Sequence, residues 1–219
     1  MSEVVHAAAP TMSVTELVDV LRQAIVSGDL VPKQRLVEAD LAADCHASRG
    51  NVRVALSQLT SEGLVERIQN RGARVRAVSL DEAVEITEVR AALEALCARK
   101  AAANITDAEV DELRALGLEM QDAVERGDRD TYSNGNRRLH ARIIEISCQQ
   151  TAASTIALLR GQAVRFQFKL SRQAGRSSVS LPEHLAIIDA VCKHDEPAAA
   201  EAMRLHLESV ADAIRATGN

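Results

Sequence analysis

Apolar residues recur at helical spacing near the start of the chain. Leu17, Val20, Leu21, Ala24 and Ile25 form one stripe behind Ser13 and Thr15, either of which can cap a helix that Gly28 ends. Leu36, Leu41, Val52, Leu56 and Leu59 continue the pattern in two short blocks broken around 44–48, which predicts two helices joined by a tight turn. Ser48 can cap the second of these, with Arg49, Asn51 and Arg53 in its first turns, where a helix entering a DNA groove needs polar donors. Beyond Gly63, the stretches 64–68 and 73–76 flank the turn Asn70-Arg71-Gly72, a pattern of two short strands around a basic turn.

From Asp81 onward the period is helical throughout. Six helices are predicted: 81–103; 107 to about 127, behind Thr106 or Asp107; 128–147; 149–172; Pro182 to Lys193; and Pro197 to about Ala216. The Gly- and Ser-rich stretch 173–180 reads as a loop, and Gly135 weakens the middle of its helix by roughly 1 kcal/mol, which invites a functional reason. The expected organisation is a mobile tail over 1–12, a winged helix-turn-helix over 13–78 with three helices and a β-hairpin wing, and an all-α six-helix unit over 79–219. The fold class is mainly α.

Composition refines this picture. A hydrophobic share of 47% in 219 residues supports real cores, and no apolar run approaches a membrane span or a signal peptide, so a cytoplasmic protein is expected. Cys45, Cys97, Cys148 and Cys192 are scattered, without a C-x-x-C pair, which argues for reduced thiols. One Tyr, two Phe and no Trp leave little for stacking on single-stranded bases. The net charge of −5 hides a basic segment. Between Cys45 and Val78 stand Arg49, Arg53, Arg67, Arg71, Arg74 and Arg76 against Glu62 and Glu66 alone, a local charge of +4 where phosphates would be met.

The residues Glu38, Leu41, Ala42, Ser48, Arg49, Val52, Arg53, Ala55, Leu56, Leu59, Gly63, Leu64, Val65 and Gly72 resemble the pattern of the GntR family of bacterial transcription regulators. That resemblance implies DNA contact through Arg35, Ser48, Arg49, Gly50, Asn51, Arg53, Arg71 and Gly72. Gly50-Asn51 stands where many relatives carry Thr-Pro, and Asn51 is a candidate reader of adenine. Gly72 would let the wing approach the minor groove.

The second half resembles the FCD effector domain of the FadR subfamily. The matching residues are Glu88-Val89-Arg90 with Leu93-Glu94, Asn136-x-x-x-His140, Glu183-His184 with Ile187-Ile188-Asp189-Ala190, and His206-Leu207. The resemblance implies a divalent metal held by Asn136, His140, His184 and His206, a small carboxylate effector on that metal, and a homodimer on a palindromic operator. Chemistry agrees: Asn136 and His140 share one helix face, and three imidazoles with one oxygen suit zinc, with nickel or manganese as other choices. Arg90 is the first candidate for an effector carboxylate, with a salt bridge to Glu94 as its alternative; Arg165 is the second. A metal-dependent enzyme using the same four ligands, and an architectural DNA binder without an effector, remain as other readings.

Overall fold

In the computed structural model, which describes residues 11–68, 72–171, 173 and 175–217, the first helix opens where its cap dictates. The Ser13 hydroxyl accepts from the Glu16 amide, and the Glu16 carboxylate accepts from the Ser13 N–H at 2.9 Å. This capping box starts α1 (Val14–Ser27), which Gly28 closes at φ +93°. Next come α2 (Glu38–Asp44) and α3 (Arg49–Ser61), whose Ser48 hydroxyl accepts from the Asn51 N–H at 3.0 Å. Between them His46 sits at φ +49°, a conformation that costs a side-chain-bearing residue roughly 1–2 kcal/mol. Packing of α1 on α3 holds the turn in place. Leu17, Leu21, Ile25, Val52, Leu56 and Leu59 are all buried there, at roughly 1.5–3 kcal/mol for each large side chain.

The wing has one strand more than the sequence pattern predicts. β2 (Val65–Ile68) and β3 (Gly72–Val75) pair antiparallel as expected, and β1 (Arg35–Leu36) adds to the outer edge of β3, giving the order β1-β3-β2. Two residues are too few to show a period of two. Leu36, opposite Ala73, is buried and ties this strand to the core. The wing-tip residues Asn70 and Arg71, and residues 1–10 of the predicted tail, lie outside the described residues.

Contacts divide the chain into two units, Met1–Ala77 and Val78–Asn219. Among the described residues the second holds six helices: α4 (Leu80–Asn104), α5 (Asp107–Glu125), α6 (Arg129–Ile146), α7 (Gln150–Ser171), α8 (Arg176–Cys192) and α9 (Glu196–Ala216). Within it α4 packs against α6, α7, α8 and α9, and α5 packs against α6 and α8. Caps fall where polar residues allow: Ser79, Asp128 and Asp195 each accept from an amide one turn on, and the Glu109 carboxylate accepts from the Thr106 N–H.

Two local features were read differently from the sequence. The predicted loop over 173–180 is instead the start of α8, which begins at Arg176 behind Gly175 at φ +79° and carries Pro182 inside it. Ser180 is buried, and its hydroxyl donates to the Arg176 carbonyl one turn back at 3.0 Å, so a polar residue is absorbed into the helix instead of breaking it. The weak spot at Gly135 has a packing reason. A Cβ there would lie 2.6 Å from Cγ of the fully buried Met120 on α5, so α6 approaches α5 more closely than any other residue permits. That close approach sets the position of the helix face bearing Asn136 and His140.

Candidate functional site

On the winged helix, function rests on what α3, β1 and the wing leave uncovered. Arg35 and Arg49 are exposed and form no ion pair among the described residues, so both guanidinium groups can meet phosphate or base edges. Arg53 is exposed too, yet its Nε donates to Glu38 Oε2 at 2.6 Å, an ion pair on the surface. Asn51, the candidate adenine reader, already uses one amide N–H within the chain, donating from Nδ2 to the Met12 carbonyl at 2.8 Å. That side chain ties the segment before α1 to the start of α3. Gly50 has only Ser48 Oγ, at 3.6 Å, near the place a Cβ would occupy, so the structure itself does not require glycine there. Gly72 has φ +87° and needs it. Ser48 acts as the cap of α3, and Arg71 lies outside the described residues.

In the helical unit, His140, His184 and His206 come from α6, α8 and α9 and are all buried. One ring nitrogen from each lies within 4.8 Å of the others. The fourth candidate, Asn136, is one turn before His140 on α6, and its Oδ1 is buried without a hydrogen-bond partner, as is His184 Nε2. Such buried acceptors are costly unless something fills the space between them.

Each imidazole is oriented from behind through its Nδ1. His140 Nδ1 is 2.7 Å from Glu94 Oε2, and His206 Nδ1 is 2.8 Å from Glu183 Oε2. An ionised carboxylate can only accept, so both Nδ1 atoms carry the proton and both Nε2 lone pairs are left for the centre. His184 Nδ1 lies 2.9 Å from the Tyr132 hydroxyl, which lies 2.6 Å from Ser180 Oγ. Ser180 gives its single proton to the Arg176 carbonyl and therefore accepts from Tyr132, whose oxygen is left to accept from His184. The same tautomer results at all three rings.

Burial, before any other cause, lowers the His140 pKa to about 4 and holds His184 well below the usual histidine range. Both rings are therefore neutral at physiological pH, the form that binds a metal. Burial works to raise the pKa of Glu94, but the guanidinium groups of Arg90 and Arg160, together with His140, take it well below the carboxylate range. Arg90 Nε and Nη2 both donate to Glu94 Oε1, at 2.9 and 2.8 Å, and Arg160 Nη2 donates to Oε2 at 2.8 Å. Thus Arg90 forms the salt bridge considered as its alternative while also lining the cavity in front of the histidines.

That cavity measures about 110 Å³ and is lined by Tyr132, Asn136, His140, His184 and His206 together with Arg90, Arg137, Arg160 and Arg176. Arg165 is not among the lining residues; it is half-buried on α7, with its Nη1 lacking a hydrogen-bond partner. Sequence reasoning missed Glu94, Tyr132, Ser180, Arg160 and Arg176 as parts of the site. Glu94 and Glu183 fell inside recognised motifs and could have been found as partners for the histidines. For Arg160 and Arg176 no spacing signal exists, since they enter from α7 and from the part of α8 read as a loop.

Comparisons with known proteins agree with both halves. Residues 14–75 match the family described as bacterial regulatory proteins, gntR family, and residues 85–209 match the FCD domain. The chain is 28% identical to the HTH-type transcriptional repressor RspR of Escherichia coli, over 94% of this chain and 91% of that protein. It is 30% identical to the HTH-type transcriptional regulator BphR of Paraburkholderia xenovorans, over 90% and 83%. Among solved structures, Escherichia coli McbR/YncC shares the fold, with a TM-score of 0.79, 21% identity and coverage of 96% of this chain and 100% of that one. RspR and BphR are both named as transcription regulators. Among the described residues no helix is long and apolar enough to cross a membrane.

Proposed function

The chain belongs to the GntR family of bacterial transcriptional regulators, with an FCD domain behind its winged helix, and on that premise we propose that it is a metal-dependent sensor of a small carboxylate. In this reading it is a repressor of the FadR-subfamily type that binds a palindromic operator as a homodimer, through Arg35, Arg49, Arg53 and the wing. The name of one relative, the repressor RspR, supports the direction of control.

The observation that carries the sensing half is the convergence of His140, His184 and His206 within 4.8 Å, beside the unpartnered Oδ1 of Asn136. Three imidazole nitrogens and one amide oxygen suit zinc, and nickel or manganese would also fit the donor set. When bound, the ion supplies a Lewis-acid point for an anionic oxygen. The residues themselves do the rest: Glu94, Glu183 and Tyr132 fix the rings, and Arg90 and Arg160 supply positive charge beside the ligand. For regulation, the carboxylate must favour one of two arrangements that differ in operator affinity.

Zinc titration by calorimetry, on protein stripped with chelator, tests the site. Wild type is expected to bind one zinc per chain, and His184→Ala is expected to lose at least about tenfold in affinity, since losing even a group that only orients a ligand costs about ten- to a hundredfold. Failure of the wild type to bind zinc, and nickel and manganese titrated in the same way, would overturn the sensing half and leave the DNA half standing. Mobility-shift assays on operator DNA, with and without small carboxylates, then test control.

A further inference from the structure

Four guanidinium groups line one small cavity, those of Arg90, Arg137, Arg160 and Arg176. The carboxylates set against them are already committed. Glu94 accepts from Arg90, Arg160 and His140, and Glu183 accepts from His206 and lies 3.7 Å from Arg176 Nη2. Asn136, the oxygen donor of the set, is neutral. The cavity therefore carries surplus positive charge, and a divalent ion adds two more.

Three of the four guanidinium groups stand behind two different histidines. Arg90 and Arg160 join through Glu94 to His140. Arg176, in the first turn of α8, donates from Nη1 to Ser209 Oγ at 3.2 Å; its Nη2 is buried without a hydrogen-bond partner, and it approaches the Glu183 that holds His206. Ser177, one residue on, also lines the cavity. Leu170, Leu207 and Val210 give the same cavity an apolar wall.

Resting on the metal-tethered reading above, we propose that the ligand is a short dicarboxylic acid. Its first carboxylate lies by the histidines and Arg160, its methylenes lie along Leu170, Leu207 and Val210, and its second carboxylate is paired by Arg176 and Ser177. A volume of about 110 Å³ lies below the usual range of roughly 300–1,000 Å³ for ligand pockets, which keeps the acid short. A monoacid of the same length fills the apolar space but leaves the Arg176 Nη2 donor unsatisfied, a cost a second carboxylate removes.

The test is calorimetric titration of zinc-loaded, full-length protein with matched straight-chain acids: malonate against propionate, succinate against butyrate, and glutarate against valerate. At least one diacid is expected to bind about tenfold or more tightly than its monoacid, the scale of one added charge-assisted contact. Arg176→Gln is expected to bring that ratio within about threefold, whatever it does to the affinities for zinc and for the monoacids; Ser177→Ala, a milder change, lowers diacid affinity alone. Equal binding within every pair, or a preference that survives Arg176→Gln in a protein with an unaltered melting curve, overturns the dicarboxylate. If zinc and every acid fail to bind, the metal-tethered reading falls and takes this inference with it. If zinc and monoacids bind without preference, only this inference falls.

Discussion

The two units present charge in opposite ways. On the winged helix the arginines proposed to meet DNA are exposed, and one of the ion pairs there, Arg53 with Glu38, is exposed at 67% and 33% of the two side chains. In the helical unit Arg90 and Glu94 are exposed at 5% and 1%, and the same carboxylate also serves His140 and Arg160. Water screens the first pair, whereas the second is buried away from bulk solvent. An exposed pair contributes little to folding, so its members remain available to a polyanion, whereas a buried network must be complete to exist at all. Surface function depends on where a residue stands in its own helix; buried function depends on who stands behind it.

The sharpest way to break the contrast is to remove Glu94. Glu94→Ala strands the buried Arg90 charge and is expected to cost about 3–5 kcal/mol in urea unfolding of the helical unit. A loss below 1 kcal/mol would mean that Arg90 readily finds water, and the buried network would count as no stronger than the surface pair. Next comes Arg49→Ala, expected to lower specific operator affinity by about ten- to a hundredfold, the scale of one base or phosphate contact at about 1–3 kcal/mol. The melting curve should stay put. Operator selected from a randomised pool and measured by fluorescence anisotropy provides the readout, and unchanged affinity would remove α3 from the interface.

Much of this was legible in advance where local rules decide. Ser13, Ser48 and Thr106 announce helix starts, Gly63 and Gly72 take the positive φ their turns need, and the three histidines of the pocket fall on a motif. The start of α8 was not legible, because Gly and Ser argue for a loop until Ser180 finds the Arg176 carbonyl and Tyr132. Nor was Asn51, whose partner Met12 lies 39 residues away along the chain. Arg160 and Arg176 were missed for the same reason: their meaning comes from Glu94 and Glu183 on other helices or turns, and only folding supplies those neighbours.

Gly135 sharpens the comparison at an intermediate scale. In an exposed helix, Gly→Ala gains up to about 1 kcal/mol from propensity. Here the added methyl meets Met120 at 2.6 Å, and overpacking of roughly 1–3 kcal/mol should reverse the sign. Gly135→Ala is therefore expected to lower the melting temperature and to weaken zinc binding, since α6 carries two of its proposed ligands; a more stable variant would show that Met120 yields freely. The smallest effect belongs to the exposed pair. Glu38→Ala should change stability by no more than about 0.5 kcal/mol in the same urea assay, while freeing Arg53 for phosphate and steepening the salt dependence of operator binding.

Glu94 also constrains how such a pocket can change over generations. Its carboxylate answers to groups on α4, α6 and α7 at once, so no single substitution there leaves Arg90, His140 and Arg160 all satisfied. Ser133, Arg137 and Ser177 carry no such debt and can be exchanged one at a time. A lineage that acquires a new metabolite is thus expected to rewrite the mouth of the cavity first and to inherit its carboxylate hub unaltered.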